Sequence, residues 1–128
     1  MDQQEPRNLE IVVIDDSPVV REQLSRAFAE AEGCHLVGMA ASGDEGIEMA
    51  RSLRPDIIVL DLSMPKRSGL EVLREIRKGD QGVMIIIFTS DDSLTLRLIC
   101  REAGANFFVT KSHLQDLLVI CDLARRNT

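Results

Sequence analysis

The stretch L-E-I-V-V-I-D-D-S-P, residues 9–18, sets an apolar segment directly against two carboxylates and a helix start. The apolar part is rich in β-branched residues, which favour strands. Ser17 followed by Pro18 is typical of a helix N-cap and first helical residue. Asp15 and Asp16 repel each other and lose hydration near apolar neighbours. The simplest interpretation is that the acids favour the positive end of the helix, and only the other strands can show whether they do more.

The same order of a strand followed by a helix recurs along the chain. Strands are predicted at 9–14, 34–40, 56–61, 83–88 and 106–111, and helices at 18–32, 43–53, 70–78, 92–103 and 113–126. Nearly continuous apolar strands separated by helices indicate a parallel sheet that is covered on both faces. We therefore expect an α/β fold, a doubly wound (βα)5 flavodoxin-like sheet with the strand order 2-1-3-4-5.

The chain of 128 residues has the size of a single domain. We expect residues 1–8 to form a flexible tail, residues 9–126 the domain, and residues 127–128 its end or the start of a linker. The cysteines, Cys34, Cys100 and Cys121, lie in apolar stretches with no ligand-pair spacing, so buried reduced thiols are expected.

Charge and hydropathy exclude several classes of partner. The net charge of −6 argues against non-specific binding to nucleic acid or to an anionic membrane. The longest apolar run, V-M-I-I-I-F at 83–88, is far too short to span a bilayer, and the polar N-terminus is unlike a signal peptide. A cytoplasmic location is the expectation.

Polar side chains follow the strands that flank the point where the predicted sheet changes direction. Strand 1 ends in Asp15 and Asp16, strand 3 in Asp61, strand 4 in Thr89 and strand 5 in Lys111. Ligands of doubly wound sheets bind beyond the carboxyl ends of the strands at this switch point. These five side chains are therefore expected to meet in one cleft.

Three clustered carboxylates need a compensating cation, and hard oxygen ligands select Mg²⁺ or Ca²⁺. Mg²⁺ commonly shares its ligands with phosphate oxygens, while Lys111 offers a point charge and Thr89 a hydrogen bond to a phosphoryl group. No glycine-rich nucleotide-binding motif follows any strand. The set fits phosphoryl transfer in which a carboxylate is itself the nucleophile.

The sequence resembles a response-regulator receiver domain over residues 9–126. The resemblance rests on V-I-D-D-S at strand 1, V-L-D-L-S-M-P at strand 3, F-T-S at strand 4 and F-F-V-T-K at strand 5, in this order and at these spacings. It implies a phospho-accepting switch in which Asp61 takes a phosphoryl group from a sensor histidine kinase or a phosphotransfer protein. Self-catalysed phosphotransfer and autodephosphorylation would then be its only reactions.

The resemblance also implies the ligands of a Mg²⁺ ion. Asp16, Asp61 and the backbone carbonyl of Ser63 would bind it directly, and Asp15 would act through a water molecule.

The same resemblance assigns the conformational switch. Lys111 and Thr89 would contact the phosphoryl group, and Phe108 would follow the movement of Thr89. Two positions depart from the common pattern. Phe108 stands where tyrosine is frequent, so the switch residue lacks a hydroxyl. Lys111 is followed by Ser112 instead of a proline with a cis peptide bond, so a trans bond is expected.

The output surface is expected on helix 4, strand 5 and helix 5. On helix 113–126, Leu114, Leu117, Leu118 and Cys121 form the predicted inward stripe, which leaves Val119 and Leu123 outside. On helix 92–103 the corresponding stripe is Leu96, Ile99, Cys100 and Ala103, with Leu94 and Leu98 outside. Together with Phe108, the outer residues would form an apolar patch for an output protein, an output domain or a second copy.

Other interpretations remain open at this point. An aspartyl-phosphate phosphatase of the haloacid-dehalogenase type would use similar chemistry, but its nucleophile normally ends strand 1 in a D-x-D arrangement. A degenerate receiver could serve only for docking, although none of the acids is missing here. The chain could also be a receiver fragment of a transcription regulator with a separate DNA-binding domain.

Overall fold

The computed structural model describes residues 7–127. Its five strands are β1 (Leu9–Ile14), β2 (Cys34–Ala40), β3 (Ile57–Leu60), β4 (Met84–Thr89) and β5 (Phe107–Thr110). Its five helices are α1 (Pro18–Glu30), α2 (Gly43–Leu53), α3 (Gly69–Gly79), α4 (Leu94–Glu102) and α5 (Leu114–Arg126). Strands and helices alternate as predicted, and the predicted boundaries differ from these by at most two residues.

The strands form one parallel sheet in the order β2-β1-β3-β4-β5, which confirms the predicted fold. Helices α2, α3 and α4 bury their apolar side chains on one face of the sheet, and α1 and α5 bury theirs on the other. All four residues from Ile11 to Ile14 are completely buried because both faces are covered. Each such side chain contributes about 1.5–3 kcal/mol of hydrophobic stabilisation.

Helix α1 begins as predicted and ends two residues early. The Ser17 hydroxyl accepts a hydrogen bond from the Val20 N–H, and Pro18 is the first helical residue. The helix ends at Glu30 because the chain must turn into β2, which it does through Gly33 at a φ of +75°. Leu24 and Phe28 form the buried stripe.

One apolar residue that was predicted to face the core does not. Ile99 is 38% exposed, because α4 turns only a narrow face inward, with Cys100 buried and Leu96 and Ala103 partly buried against the sheet. The inward stripe of α5 was predicted correctly, with Leu117 and Cys121 fully buried.

Arg77 joins α3 to the segment between α4 and β5. Its guanidinium donates hydrogen bonds to the carbonyls of Gly104 and Asp80, at 2.9 and 3.2 Å, and to Asn106 Oδ1 at 2.9 Å. The same Asn106 oxygen accepts from the N–H of Ile85. Burial lowers the pKa of Arg77, and the Asp80 carboxylate opposes that shift. This network fixes the position from which β5 starts.

The three cysteines are buried free thiols, as predicted. Burial, with a smaller contribution from Cys34, raises the pKa of Cys121 to about 12. None of the helices in residues 7–127 combines the length and the apolar character needed to cross a lipid bilayer. The predicted tail falls mostly on residues 1–6, which lie outside the described residues, as does Thr128.

Candidate functional site

The carboxyl ends of β1 and β3 bring three carboxylates together. One oxygen from each of Asp15, Asp16 and Asp61 can be chosen so that all three lie within 4.8 Å of one another. Asp15 and Asp61 are buried, at 2% and 3% exposure, and Asp16 is half-buried. The strands hold these positions through their backbones, since the N–H of Asp15 donates to the Ala40 carbonyl and that of Asp61 to the Ile14 carbonyl, both at 3.0 Å.

Lys111 supplies the cation of this cluster from the end of β5. Its Nζ lies 2.9 Å from Asp15 Oδ2 and 3.5 Å from Asp61 Oδ2. The N–H of Lys111 donates to the Thr89 carbonyl at 2.8 Å, so pairing between β4 and β5 sets the direction in which the side chain leaves the sheet. The ammonium therefore neutralises one of the three carboxylate charges.

Asp15 is further restrained by the start of α1. Its Oδ1 accepts the Ser17 N–H at 2.9 Å, and its backbone carbonyl accepts from Arg21 Nη1 at 2.8 Å. The carboxylate thus binds the first helical turn on one side and Lys111 on the other. Asp15 therefore both stabilises the start of α1 and belongs to the carboxylate cluster.

The pKa of Asp61 is raised above the ordinary value for an aspartate. Burial is the largest cause, and the neighbouring charge of Asp15 adds to it. Lys111, the Ser63 N–H at 3.3 Å from Oδ1, and a weak effect of the Thr89 hydroxyl oppose the shift. The ionised carboxylate of Asp61 is therefore held at a cost to the folded protein.

A glycine is required where α3 begins behind Asp61. A Cβ on Gly69 would lie 2.1 Å from the backbone oxygen of Asp61 and 2.5 Å from Leu62 Cα. Its N–H donates to the Leu62 carbonyl at 3.0 Å. Only a residue without a side chain allows α3 to pack this closely on the end of β3. This glycine was not identified as a site residue from the sequence.

Thr89 and Phe108 lie on the same side of the sheet as α4. Thr89 is completely buried at the end of β4, and its hydroxyl forms no hydrogen bond of standard geometry with any residue from 7 to 127. Phe108 is half-buried on β5, and the guanidinium carbon of Arg97 lies 4.8 Å from the centre of its ring. Arg97 was not predicted as a site residue, because the prediction used polar residues at strand ends and Arg97 lies in the middle of α4.

The segment after Lys111 is organised by side-chain hydrogen bonds. The Lys111–Ser112 peptide is trans, as predicted. Thr110 Oγ1 lies 2.6 Å from Nδ1 of His113 and 3.2 Å from the Ser112 hydroxyl. These contacts tie the start of α5 to the end of β5.

The donor set fits a hard divalent cation. Three carboxylates and one ammonium give the cluster a formal charge of −2, and carboxylate oxygens are the ligands that Mg²⁺ and Ca²⁺ prefer. Asp16 is the most accessible of the three acids and makes no ion pair within residues 7–127. Ser63 is exposed directly after the turn that follows Asp61.

Comparison with known proteins identifies the same family that the sequence resembles. The family described as response regulator receiver domain matches residues 11–121. Response regulator GacA of Pseudomonas viridiflava is 33% identical over 105 residues, which are 80% of this chain and 48% of GacA. The nitrate/nitrite response regulator protein NarL of Escherichia coli strain K12 is 35% identical over 119 residues, 92% of this chain and 54% of NarL. The chain spans about half the length of these curated relatives.

The solved structures agree in fold. The signal receiver domain of the putative response regulator NarL from Mycobacterium tuberculosis superposes with a TM-score of 0.85 at 26% identity, covering 93% of this chain and 96% of that one. Members of this family are phospho-accepting switches and not classical enzymes. Because the family model matches residues 11–121, most of the chain, and the sheet has the predicted strand order, the chain belongs to the response-regulator receiver domain family.

Proposed function

We propose that Asp61 is the phosphoryl acceptor of this receiver domain. One observation supports it above all: the Asp61 carboxylate is buried at the centre of the sheet edge, with acidic neighbours within 4.8 Å and the Lys111 ammonium 3.5 Å away. This environment supports the proposal, because phosphoryl transfer depends on positioning and on neutralising charge.

The reaction can be written in terms of this chain's own residues. An Asp61 carboxylate oxygen forms a bond to the phosphorus of the donor, the bond from phosphorus to the donor's leaving atom breaks, and an acyl phosphate results. Lys111 holds one phosphoryl oxygen and offsets the charge that develops there. Hydrolysis of the acyl phosphate, the autodephosphorylation step, returns Asp61 to its carboxylate.

We also propose the metal ligands. Asp16, Asp61 and the Ser63 carbonyl bind Mg²⁺, and Asp15 acts through a water molecule because its oxygens are engaged by Ser17 and Lys111. When bound, Mg²⁺ offsets the charge of the acids and of the incoming phosphoryl oxygens.

The first experiment tests the acceptor. Incubating the protein with acetyl phosphate and Mg²⁺ should add one phosphate, which hydroxylamine removes as expected for an acyl phosphate. Asp61→Asn should take up none, while Asp116→Asn, an exposed acid on α5, should behave like the wild type. Full incorporation in a folded Asp61→Asn protein contradicts the proposal.

The second experiment tests the metal ligands. Calorimetric titration with MgCl₂ should show a large loss of affinity in Asp16→Ala and little change in Asp116→Asn. Asp16→Ala should also lose phosphorylation by acetyl phosphate while remaining folded by circular dichroism. Wild-type Mg²⁺ affinity in Asp16→Ala would exclude the ligand role.

Partners follow from the family. Receiver domains partner with histidine kinases and output domains, and we propose a sensor histidine kinase or a phosphotransfer protein as the donor for Asp61, acting in the cytoplasm. We propose that the output is a protein or an attached domain that reads the surface of α4, β5 and α5. A DNA-binding output is a second candidate, because one relative at 37% identity over 42% of its length is described as a probable transcriptional regulatory protein.

The proposed output surface carries exposed apolar residues from all three elements. Leu94 and Leu98 on α4, Phe107 on β5, and Val119 and Leu123 on α5 are each between 43% and 71% exposed. We propose that movement of Thr89 toward the phosphoryl group lets Phe108 pack behind it and shifts an existing equilibrium toward the binding-competent surface.

Introducing negative charges by substitution tests whether this surface binds a partner. Val119→Glu/Leu123→Glu should phosphorylate normally but lose phosphorylation-dependent dimerisation or partner binding, measured by sedimentation with and without beryllofluoride. A matched double substitution on the exposed side of α1, Val19→Glu/Gln23→Glu, adds the same charge at the same spacing and should leave association unchanged. Wild-type association of the α5 variant shows that another face is used.

A further inference from the structure

Arg97 links the aromatic ring of Phe108 to the segment that follows β4. Its guanidinium carbon lies 4.8 Å from the centre of the ring. On its other side, Arg97 Nε donates to Asp92 Oδ1 at 2.8 Å, and Nη2 contacts the same oxygen at 2.5 Å. Asp92 lies three residues beyond Thr89 and immediately before Ser93, the N-cap of α4. One side chain therefore connects β5, α4 and the segment after Thr89.

The two contacts reinforce each other although both are partly exposed. The Arg97 and Asp92 side chains are 40% and 56% exposed, so their ion pair alone stabilises little. It does fix the orientation of the planar guanidinium, which then meets the ring without a further loss of side-chain freedom. The ring itself is half-buried against the apolar cluster beneath α4.

We propose that Arg97 is a latch that holds Phe108 in its present position and so resists the phosphorylated conformation. The proposal rests on the proposed function, in which Thr89 and Phe108 move together. In the arrangement described here Phe108 is half-buried with its ring against Arg97, so it does not occupy the fully packed position behind Thr89 that the proposed switch requires. Contacts of Arg97 in this arrangement therefore favour the conformation that precedes phosphorylation.

The position of the ring also determines the shape of the output surface. Phe108 and Arg97 together line two grooves, one that continues to Leu98 on α4 and one that continues to Val119 on α5. Any movement of the ring changes both grooves at once. Release of the latch is thereby coupled to the surface that a partner contacts.

The latch predicts a gain of activity when it is removed. Conversion to the phosphorylated conformation must break the contact between Arg97 and Phe108, so Arg97→Met should phosphorylate about two- to fivefold faster with acetyl phosphate, the factor that corresponds to an exposed cation–π contact. Arg97→Lys should fall between Arg97→Met and the wild type, because it keeps the charge without the planar fork. Arg101→Met makes the same change one turn later on α4 and should not alter the rate.

The partner residues give a second measurement. In a Phe108→Leu background the substitution Arg97→Met should no longer change the rate, whereas independent effects that multiply would contradict a latch. Asp92→Asn should accelerate phosphorylation of the wild-type background, because it frees the guanidinium from its anchor. An unchanged or reduced rate in Arg97→Met overturns the proposal.

Nuclear magnetic resonance separates this proposal from the function on which it rests. In the unphosphorylated wild type, the Nε–H and δ-methylene protons of Arg97 should be shifted upfield by the Phe108 ring, and Phe108→Leu should abolish the shift. If these shifts are present but no phosphate is incorporated, the acceptor proposal fails and the contact stands. If phosphorylation proceeds normally but the shifts are absent, the latch fails alone.

Discussion

Replacing Asp61 by asparagine should stabilise the metal-free protein at neutral pH. The substitution removes a buried carboxylate from a site that already contains Asp15 and Asp16, yet it leaves the shape of the side chain nearly unchanged. The asparagine oxygen can still accept the N–H of Ser63, as Asp61 Oδ1 does at 3.3 Å. The change therefore isolates the charge of residue 61.

The magnitude follows from the distances between the charged atoms. With an effective dielectric constant of about 20, like charges at the upper limit of 4.8 Å repel by about 3.5 kcal/mol, and opposite charges 3.5 Å apart attract by about 4.7 kcal/mol. Asp61 has two repulsive neighbours and one attractive neighbour, Lys111, so the net repulsion is about 2 kcal/mol. Burial of the carboxylate adds to this cost. Asp61→Asn should therefore raise the melting temperature by about 5–10 °C.

The pH dependence has a definite sign. Because the pKa of Asp61 is raised in the folded protein, the folded chain binds its proton more tightly than the unfolded chain does. Above the folded-state pKa the wild type bears the full free-energy cost of the ionised Asp61 carboxylate. As the pH falls through that pKa, Asp61 takes up a proton and the cost decreases. The advantage of Asp61→Asn should be full above the folded-state pKa, should shrink as the pH falls, and should vanish below the unfolded-chain pKa of about 3.9.

Urea unfolding in the presence of EDTA, followed by circular dichroism from pH 7 to pH 3.5, measures this difference directly. Asp116→Asn serves as the control for loss of an exposed acid on the same protein. Adding MgCl₂ should narrow the gap, because the wild type gains the binding free energy of the ion. The reasoning is refuted if Asp61→Asn is no more stable than the wild type at pH 7, or if its advantage persists unchanged at pH 3.5.

Three further substitutions have definite expected outcomes. Gly69→Ala should lower the free energy of unfolding by about 2–3 kcal/mol and abolish phosphorylation, because its Cβ would press on the backbone of Asp61; urea unfolding and acetyl phosphate labelling measure both. Arg77→Met should cost about 2–3 kcal/mol in urea unfolding through the loss of its three hydrogen bonds, with no rescue by Arg77→Lys and with labelling retained. Lys111→Met should cost about 2 kcal/mol at pH 7, measured in EDTA, and the loss should shrink as the pH falls and Asp61 becomes protonated.

The sequence predicted the fold because the residue preferences, the apolar patterns and the helix start and turn residues all indicate the same strands and helices. The β-branched runs, Ser17 and Pro18 at the start of α1, and Gly33 at the turn into β2 act within a few residues of where they stand. The carboxyl ends of parallel strands share one edge of a sheet, so the meeting of Asp15, Asp61 and Lys111 followed from topology alone.

Features that depend on the tilt of a helix or on contacts between distant elements were not predictable in this way. Ile99 was misplaced because periodicity shows that a helix has an apolar side but does not show how wide the covered strip is. The contact between Arg97 and Phe108 joins a helix and a strand with no motif in either. Gly69 is needed only because α3 packs against the backbone of Asp61, which no local pattern reveals.

The electrostatics of the site explain why phosphorylation, metal binding and stability should be coupled. Conversion of the Asp61 carboxylate to an acyl phosphate replaces one negative charge by up to two, so the site becomes more negative by about one unit. Lys111 and a bound divalent cation must then interact more strongly with the phosphorylated form than with the free carboxylate. By thermodynamic linkage, the cation must favour the phosphorylated form by the same factor. Three like charges repel one another, so the site gains most when the cation and the phosphoryl group bind together, and in the proposed switch this gain would drive the movement of Thr89 against the resistance of Arg97.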